Sequence, residues 1–318
     1  MRRMAWVAMA LVLAAVVAGA AWWWTTPPRG PDDAGMAALY ATPLPAPEGP
    51  LAVYHIGHSL VNRDMPAMLA QLAGEGHRYE SQLGWGAPLR SHWGDIPVNG
   101  SEVENAHPRY REAREAVASG DYDAIVLTEA VEIRDMIRYH DSPRYLALFA
   151  AEAWKARPDA RIYLYETWHP LNSPPGWLER IDGDLPKYWE GAILRPALGR
   201  LPEGARVFLI PGGQALAALV REIEAQGGVG GVTDRTGLFG RTDDGGVDQI
   251  HLNDLGNYFI ALLHYAVIYH RSPEGLPHAL RKGDGTPAEA PSAELAQLMQ
   301  RIAWDAARAN PLTGVGRQ

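Results

Sequence analysis

Residues 51–61 read LAVYHIGHSLV. The first seven form an apolar run of the length of one strand, the pattern of a strand buried on both faces of a sheet. His58 and Ser59 follow the closing glycine. Met65, Met68, Leu69 and Leu72 then recur at i, i+3, i+4, i+7, one apolar face of a helix. A strand that passes into a helix through a short turn is a βα unit, and Ser59 sits in that turn.

The same alternation continues down the chain. DAIVLTEA (123–130), RIYLYET (161–167) and RVFLIPG (206–212) read as three more strands. Residues 102–119 read as a helix stopped by Gly120, 145–156 as one ending before Pro158, and 214–228 as one with a glycine stop. Residues 255–270 read as a long amphipathic helix, and 292–309 as one more helix in the tail. Strands alternating with helices predict an α/β fold, with a mostly parallel sheet covered by helices on both faces. Ligands of such sheets bind beyond the carboxyl ends of the strands. That edge receives Ser59, the stretch from Thr128 to Glu132, and Thr167 with Trp168.

Bulk properties narrow the function. The 318 residues carry a formal net charge of −8, which disfavours nucleic acid as a partner. There are no cysteines, so disulfides, a thiolate nucleophile and thiolate-held metals are excluded. Arg2 and Arg3 precede an uncharged apolar stretch from Met4 to Trp24. That length is near the roughly 20 residues needed to span a bilayer as a helix. The arginines predict a cytoplasmic N-terminus and an exported body, on the periplasmic or cell-surface side. Ala18-Gly19-Ala20 suits signal-peptidase cleavage, whereas Trp22, Trp23 and Trp24 suit a retained membrane anchor. Residues 1–24 are therefore read as a signal peptide or signal anchor, and the Pro/Gly/Ala-rich residues 25–50 as a linker. The main domain is expected over 51–275 and a C-terminal extension over 276–318. No feature fixes an oligomeric state.

A serine becomes a nucleophile only with a base to take its proton and an acid to orient that base. VDQIHLNDLGNYFIA (247–261) offers both: Asp248 and His251, three residues apart, on what reads as a loop entering the long helix. A turn of that length can return the carboxylate onto one imidazole nitrogen and leave the other for Ser59. Asn253 is placed to cap the helix.

These stretches carry a resemblance. GHSL (57–60) resembles the first block of the SGNH, or GDSL, hydrolases, and DQIHLNDLG (248–256) resembles their last block. LGWGAPLRSHW (83–93) resembles the block whose glycine, matched here to Gly86, donates a backbone N–H. The resemblance implies a three-layer α/β/α sandwich and a serine esterase. Ser59 would be the nucleophile, His251 the general base and acid, and Asp248 the orienting acid. The N–H groups of Ser59 and Gly86 would hold the oxyanion. Two departures stand out. His58 replaces the usual Asp of the first block. The third block, typically Gly-x-Asn-Asp, reads LTEAVEIRD (127–135), so no Asn completes the oxyanion site. Thr128, or Glu129 or Glu132 in a protonated form, is the available substitute.

His55, His58, His92, His107 and His169 lack the spacing of a zincin and no HExxH is present, so no metal is expected. No cofactor motif is present, and GGVGG (227–231) is not followed by the Lys-Ser/Thr of a phosphate loop. Trp85, Trp93, Trp168, Trp177 and Trp189 fall near the active edge, where indole faces can stack on sugars. The leading reading is an exported esterase removing small acyl groups, O-acetyl above all, from a polysaccharide. An O-acyltransferase using the same triad is the enzymatic rival. A catalytically silent polysaccharide-binding or assembly protein on a hydrolase fold is the non-enzymatic one.

Overall fold

Residue 29 is the first and residue 316 the last that the computed structural model describes. The signal or anchor segment and the start of the linker lie outside these residues. Among the described residues no helix is long and apolar enough to cross a membrane.

The chain opens with α1 (Asp33–Leu39), capped by the Asp32 carboxylate, and enters the sheet through β1 (Ala52–His58). Every residue of β1 is buried, as an interior strand of a two-faced parallel sheet requires. Then come α2 (Asp64–Ala73), β2 (Arg78–Gly84), and two single-turn helices, α3 (Leu89–His92) and α4 (Ser101–Glu104). They are followed by α5 (Ala113–Ser119), β3 (Ala124–Leu127), α6 (Ile133–His140), α7 (Ser142–Ala156) and β4 (Arg161–Glu166). A continuous helical stretch follows: α8 (Trp177–Asp184), a π-helix (Leu185–Leu194) and α9 (Arg195–Leu198). The chain ends with β5 (Phe208–Pro211), α10 (Gly212–Ala225), the ribbon of β6 (Phe239–Arg241) and β7 (Val247–Leu252), α11 (Asp254–Tyr269) and α12 (Ala293–Ala309).

Five strands form one sheet in the order β2-β1-β3-β4-β5, and every neighbouring pair is parallel. Helices flank it in two sets. α2, α10, α11 and α12 pack against one another, and α7 gathers α3, α5, α6, α9 and the π-helix. The strand order reverses between β1 and β3. The carboxyl edge at such a reversal is where doubly wound sheets keep their ligands, and Ser59 leaves β1 there.

Several expectations are corrected. β2 is an unforeseen fifth strand; its RYESQLG pattern is polar at the exposed start and apolar only at the buried end. Residues 102–119 are not one helix. Pro108 interrupts them, and Asn105 turns back to bond both the N–H and the C=O of Leu83 at 2.9 Å. The linker reading fails from Arg29 onward. Met36 and Tyr40 are buried in the core, the Tyr40 hydroxyl donates to the Val207 carbonyl, and Arg206 and Arg161 donate to the carbonyls of Thr42 and Pro45. Two buried apolar side chains and the arginine bonds outweigh the flexibility that proline and glycine suggest. The helix expected in the tail forms as α12, which buries Leu295, Leu298, Met299 and Ala303 and packs on α10 and α11.

Candidate active site

Ser59 sits on a tight elbow. The His58 carbonyl, at the end of β1, accepts from Val61 N–H at 2.9 Å and Asn62 N–H at 3.3 Å. Gly57 permits the approach: a Cβ there would lie 2.6 Å from Thr128 Cγ2 and 2.7 Å from Val61 Cγ2. Asn62, at φ +45, caps the start of α2 through Asp64 N–H and Met65 N–H, at 2.7 and 3.1 Å. Its amide donates to Asn257 Oδ1 on α11 at 2.8 Å. The serine elbow is thereby tied to the helix that follows His251.

Asp248 and His251 lie on β7 of the small antiparallel ribbon, not on a loop. Asp248 Oδ1 accepts from the N–H groups of Ile250 and His251, each at 2.9 Å. Its Oδ2 lies 2.9 Å from His251 Nδ1, and His251 Nε2 lies 2.9 Å from Ser59 Oγ. A carboxylate accepts, so Nδ1 carries the proton of the neutral ring and Nε2 is left to accept from the serine. Partial burial works against the ionised Asp248. The two N–H bonds and the imidazole outweigh it and hold the carboxyl below its ordinary range. Asn253 caps α11 by accepting from Gly256 N–H at 3.1 Å, as its position predicts. The three residues named from the sequence thus form one hydrogen-bonded chain. Ser59 is half-buried, and His251 has a side-chain exposure of 47%.

The β1–β2 register pairs His58 with Gly84, so Ser59 and Trp85 leave the sheet side by side, with Gly86 next. Gly86 is exposed at φ +53, and neither its N–H nor that of Ser59 has a hydrogen-bond partner among the described residues.

The third-block residues are otherwise engaged. The Thr128 hydroxyl, buried, donates to the Tyr165 carbonyl at 2.7 Å, which spends its only proton between β3 and β4. Glu129 is buried, and its Oε1 accepts from Leu89 N–H at 3.2 Å and Ala130 N–H at 2.9 Å. Burial raises its carboxyl to about 7 against the opposing pull of those bonds. Glu132 caps α6 and pairs with Arg134 and Arg180 at 2.9 and 3.0 Å. Burial opposes its ionisation, but the two arginines bring its carboxyl down to about 2. It has no proton to donate at neutral pH. Trp168 is buried rather than open for stacking, and its indole N–H donates to the Ile250 carbonyl at 2.7 Å. With Leu171 N–H on the Gln249 carbonyl at 2.7 Å, it braces the Asp248–His251 segment from the loop after β4.

His58 was the other departure. It is buried, and its Nε2 donates to the Glu129 carbonyl at 3.0 Å while Nδ1 accepts from Leu60 N–H at 3.3 Å. Burial lowers it to about 4, so it is neutral at neutral pH, as these two roles require. His58 and Glu129 together stitch the serine elbow, the loop after β3 and the start of α3. The sequence carried no signal of this, because its two contacts are made between residues 71 and 40 apart in the chain.

Glu132, His169 and Asp184 bring ligand-type atoms within 4.8 Å of one another. Arg180 supplies the positive charge there. Its Nη2 lies 2.8 Å from Asp184, 3.0 Å from Glu132 and 3.3 Å from His169 Nδ1. His169 Nε2 lies 2.8 Å from Asp184. The donor set is satisfied as a buried ion network, so the residues present do not fit a metal.

No family model and no curated protein matches this chain. Among solved structures it is similar to a DUF4886 family protein from Bacteroides uniformis, at 17% identity and TM-score 0.49, over 80% of this chain and 94% of that one. It is also similar to a candidate GDSL-like lipase from Parabacteroides merdae, at 13% identity and TM-score 0.37, over 67% and 93%. An acetyl xylan esterase is a third, at 14% identity and TM-score 0.37, over 66% and 96%. At such scores the chemistry has to come from this chain's own atoms.

Proposed function

We propose that this chain is a serine esterase of the SGNH type that hydrolyses small acyl esters, O-acetyl groups foremost. The observation that supports it best is His251, whose two nitrogens lie 2.9 Å from Asp248 Oδ2 and 2.9 Å from a half-buried Ser59 Oγ. Ser59 Oγ attacks the ester carbonyl while His251 Nε2 takes its proton, and Asp248 stabilises the resulting imidazolium. The N–H groups of Ser59 and Gly86, unpartnered among the described residues, are the donors for the oxyanion. His251 returns the proton to the departing alkoxide, leaving an acyl-Ser59 ester. Water, deprotonated by the same imidazole, then releases the acid. The N-terminal arginines and the apolar stretch from Met4 to Trp24 support export with the body outside the cytoplasm, on a membrane anchor or after cleavage.

The test is release of acid from ethyl acetate by the full chain and by Ser59→Ala and His251→Ala. Turnover by the wild type that falls by about 10³-fold or more in both variants, with the far-UV spectrum unchanged, supports the reading. Equal rates in all three proteins refute it. Acyl transfer to an added glycan in place of acid release would mark the acyltransferase.

A further inference from the structure

We infer that Trp85 is the floor of a sugar subsite beside Ser59, so that the alcohol half of the ester is a pyranose. The inference rests on the esterase reading for its chemistry but on separate atoms for its geometry. Trp85 is 53% exposed, whereas Trp168, Trp177 and Trp189 are buried and Trp93, Trp154 and Trp304 are partly so. A lone exposed apolar residue says little, but this one is held. Its indole N–H donates to Glu104 Oε1 at 2.7 Å, and its backbone N–H donates to the Asn99 carbonyl at 2.7 Å. The ring also lies flat against Gly100. A Cβ at that residue would come within 2.3 Å of the ring's Cδ2 and 2.6 Å of Cε2 and Cγ. Gly100 is at φ +70, so both the backbone and the indole require the glycine. Arg63, four residues past Ser59, fixes the same small helix by donating to the Glu104 carbonyl at 3.1 Å.

One face of the indole is therefore covered by backbone and one edge is tied to a carboxylate, while more than half of the residue remains open. The register of β1 on β2 brings Trp85 out of the sheet beside the serine elbow, and Gly86 is its chain neighbour. Fixing an aromatic ring before the ligand arrives removes the ordering cost from binding. The electron-rich face attracts the polarised C–H groups of a pyranose, whose hydroxyls stay in water. A long acyl chain would need a concave apolar wall. A single flat ring does not supply one, so the ring is assigned to the sugar.

Two measurements test this. The first is calorimetric binding of monoacetylated cellobiose to Ser59→Ala and to the same protein carrying Trp85→Ala as well. Removing the ring should weaken binding by about tenfold or more, and Trp85→Phe should restore most of it. Binding that does not depend on Trp85 overturns the subsite, whatever the esterase activity. The second is kcat/KM on the same sugar ester and on ethyl acetate for the Ser59-intact protein and its Trp85→Ala variant. The loss on the sugar ester should exceed the loss on ethyl acetate by about tenfold, chiefly through KM. Equal losses on both substrates also overturn the inference. Absence of turnover together with Trp85-dependent binding would remove the esterase reading and leave the subsite standing.

Discussion

Glu129→Gln should change how stability responds to pH. The carboxyl is fully buried, and burial raises it from 4.5 to about 7. A raised acid favours the folded state while protonated. It therefore loses stability as pH climbs from the unfolded value to the folded one. At about 1.4 kcal/mol per pH unit, the shift costs about 3 kcal/mol once both states are ionised, of which about 2.5 kcal/mol falls between roughly pH 5 and 8.5. Glutamine is neutral throughout, and its carbonyl can still accept from Leu89 N–H and Ala130 N–H. Any fixed cost of seating its amide is the same at every pH and drops out. The buried Glu166, raised to about 8, acts in the same direction but is common to both proteins. Urea denaturation of wild type and variant at about pH 5 and 8.5 should show the fall in stability between them reduced by about 2.5 kcal/mol in the variant. Equal falls in the two proteins, within about 0.5 kcal/mol, would refute the assignment of a buried, proton-holding Glu129.

Asp248→Asn keeps the size of the side chain but loses the charge that stabilises the imidazolium. Its kcat on ethyl acetate should fall by about 10³–10⁴-fold, and a loss under about tenfold would remove Asp248 from the mechanism. A chain starting at Leu51 discards Met36 and Tyr40 and the carbonyls of Thr42 and Pro45. It should be less stable than a chain starting at Arg29 by about 3–5 kcal/mol, measured by urea denaturation of the two truncations; equal midpoints would show that residues 29–50 do not contribute.

The parallel sheet was legible wherever a strand is buried on both faces. β1, β3, β4 and β5 are short, mainly apolar runs because all their residues but the half-buried Arg161 are buried. β2 was not legible, since an edge strand with exposed Arg78 and half-buried Tyr79 and Glu80 shows neither a continuous run nor a clean alternation. The stretch 102–119 has helical composition, and only Pro108 and the contact from Asn105 to Leu83 break it. Residues 29–50 misled for the opposite reason: proline and glycine describe the backbone, and the anchors are two scattered side chains, Met36 and Tyr40.

The candidate site divides along the same line. The placing of Ser59 beside Asp248 and His251 could be expected because it depends on local spacing, an elbow after a strand and a carboxylate three residues before an imidazole. Thr128, Glu129, Glu132 and Trp168 were placed by strand order, the first three also by resemblance to the third block, and both locate a Cα but not the direction of its side chain. All four turn to bracing. Thr128 ties β3 to β4, Glu129 holds the start of α3, Glu132 answers two arginines, and Trp168 holds the Ile250 carbonyl beside His251. In the proposed mechanism the oxyanion then depends on backbone N–H groups, whose aim is set by how firmly the elbow and the Gly86 loop are held. The His58–Glu129 contact holds the elbow, and the Glu129–Leu89 contact holds the start of α3, three residues past Gly86. A third block without its asparagine is therefore consistent with catalysis when its residues fix the backbone donors in place of adding a side-chain one.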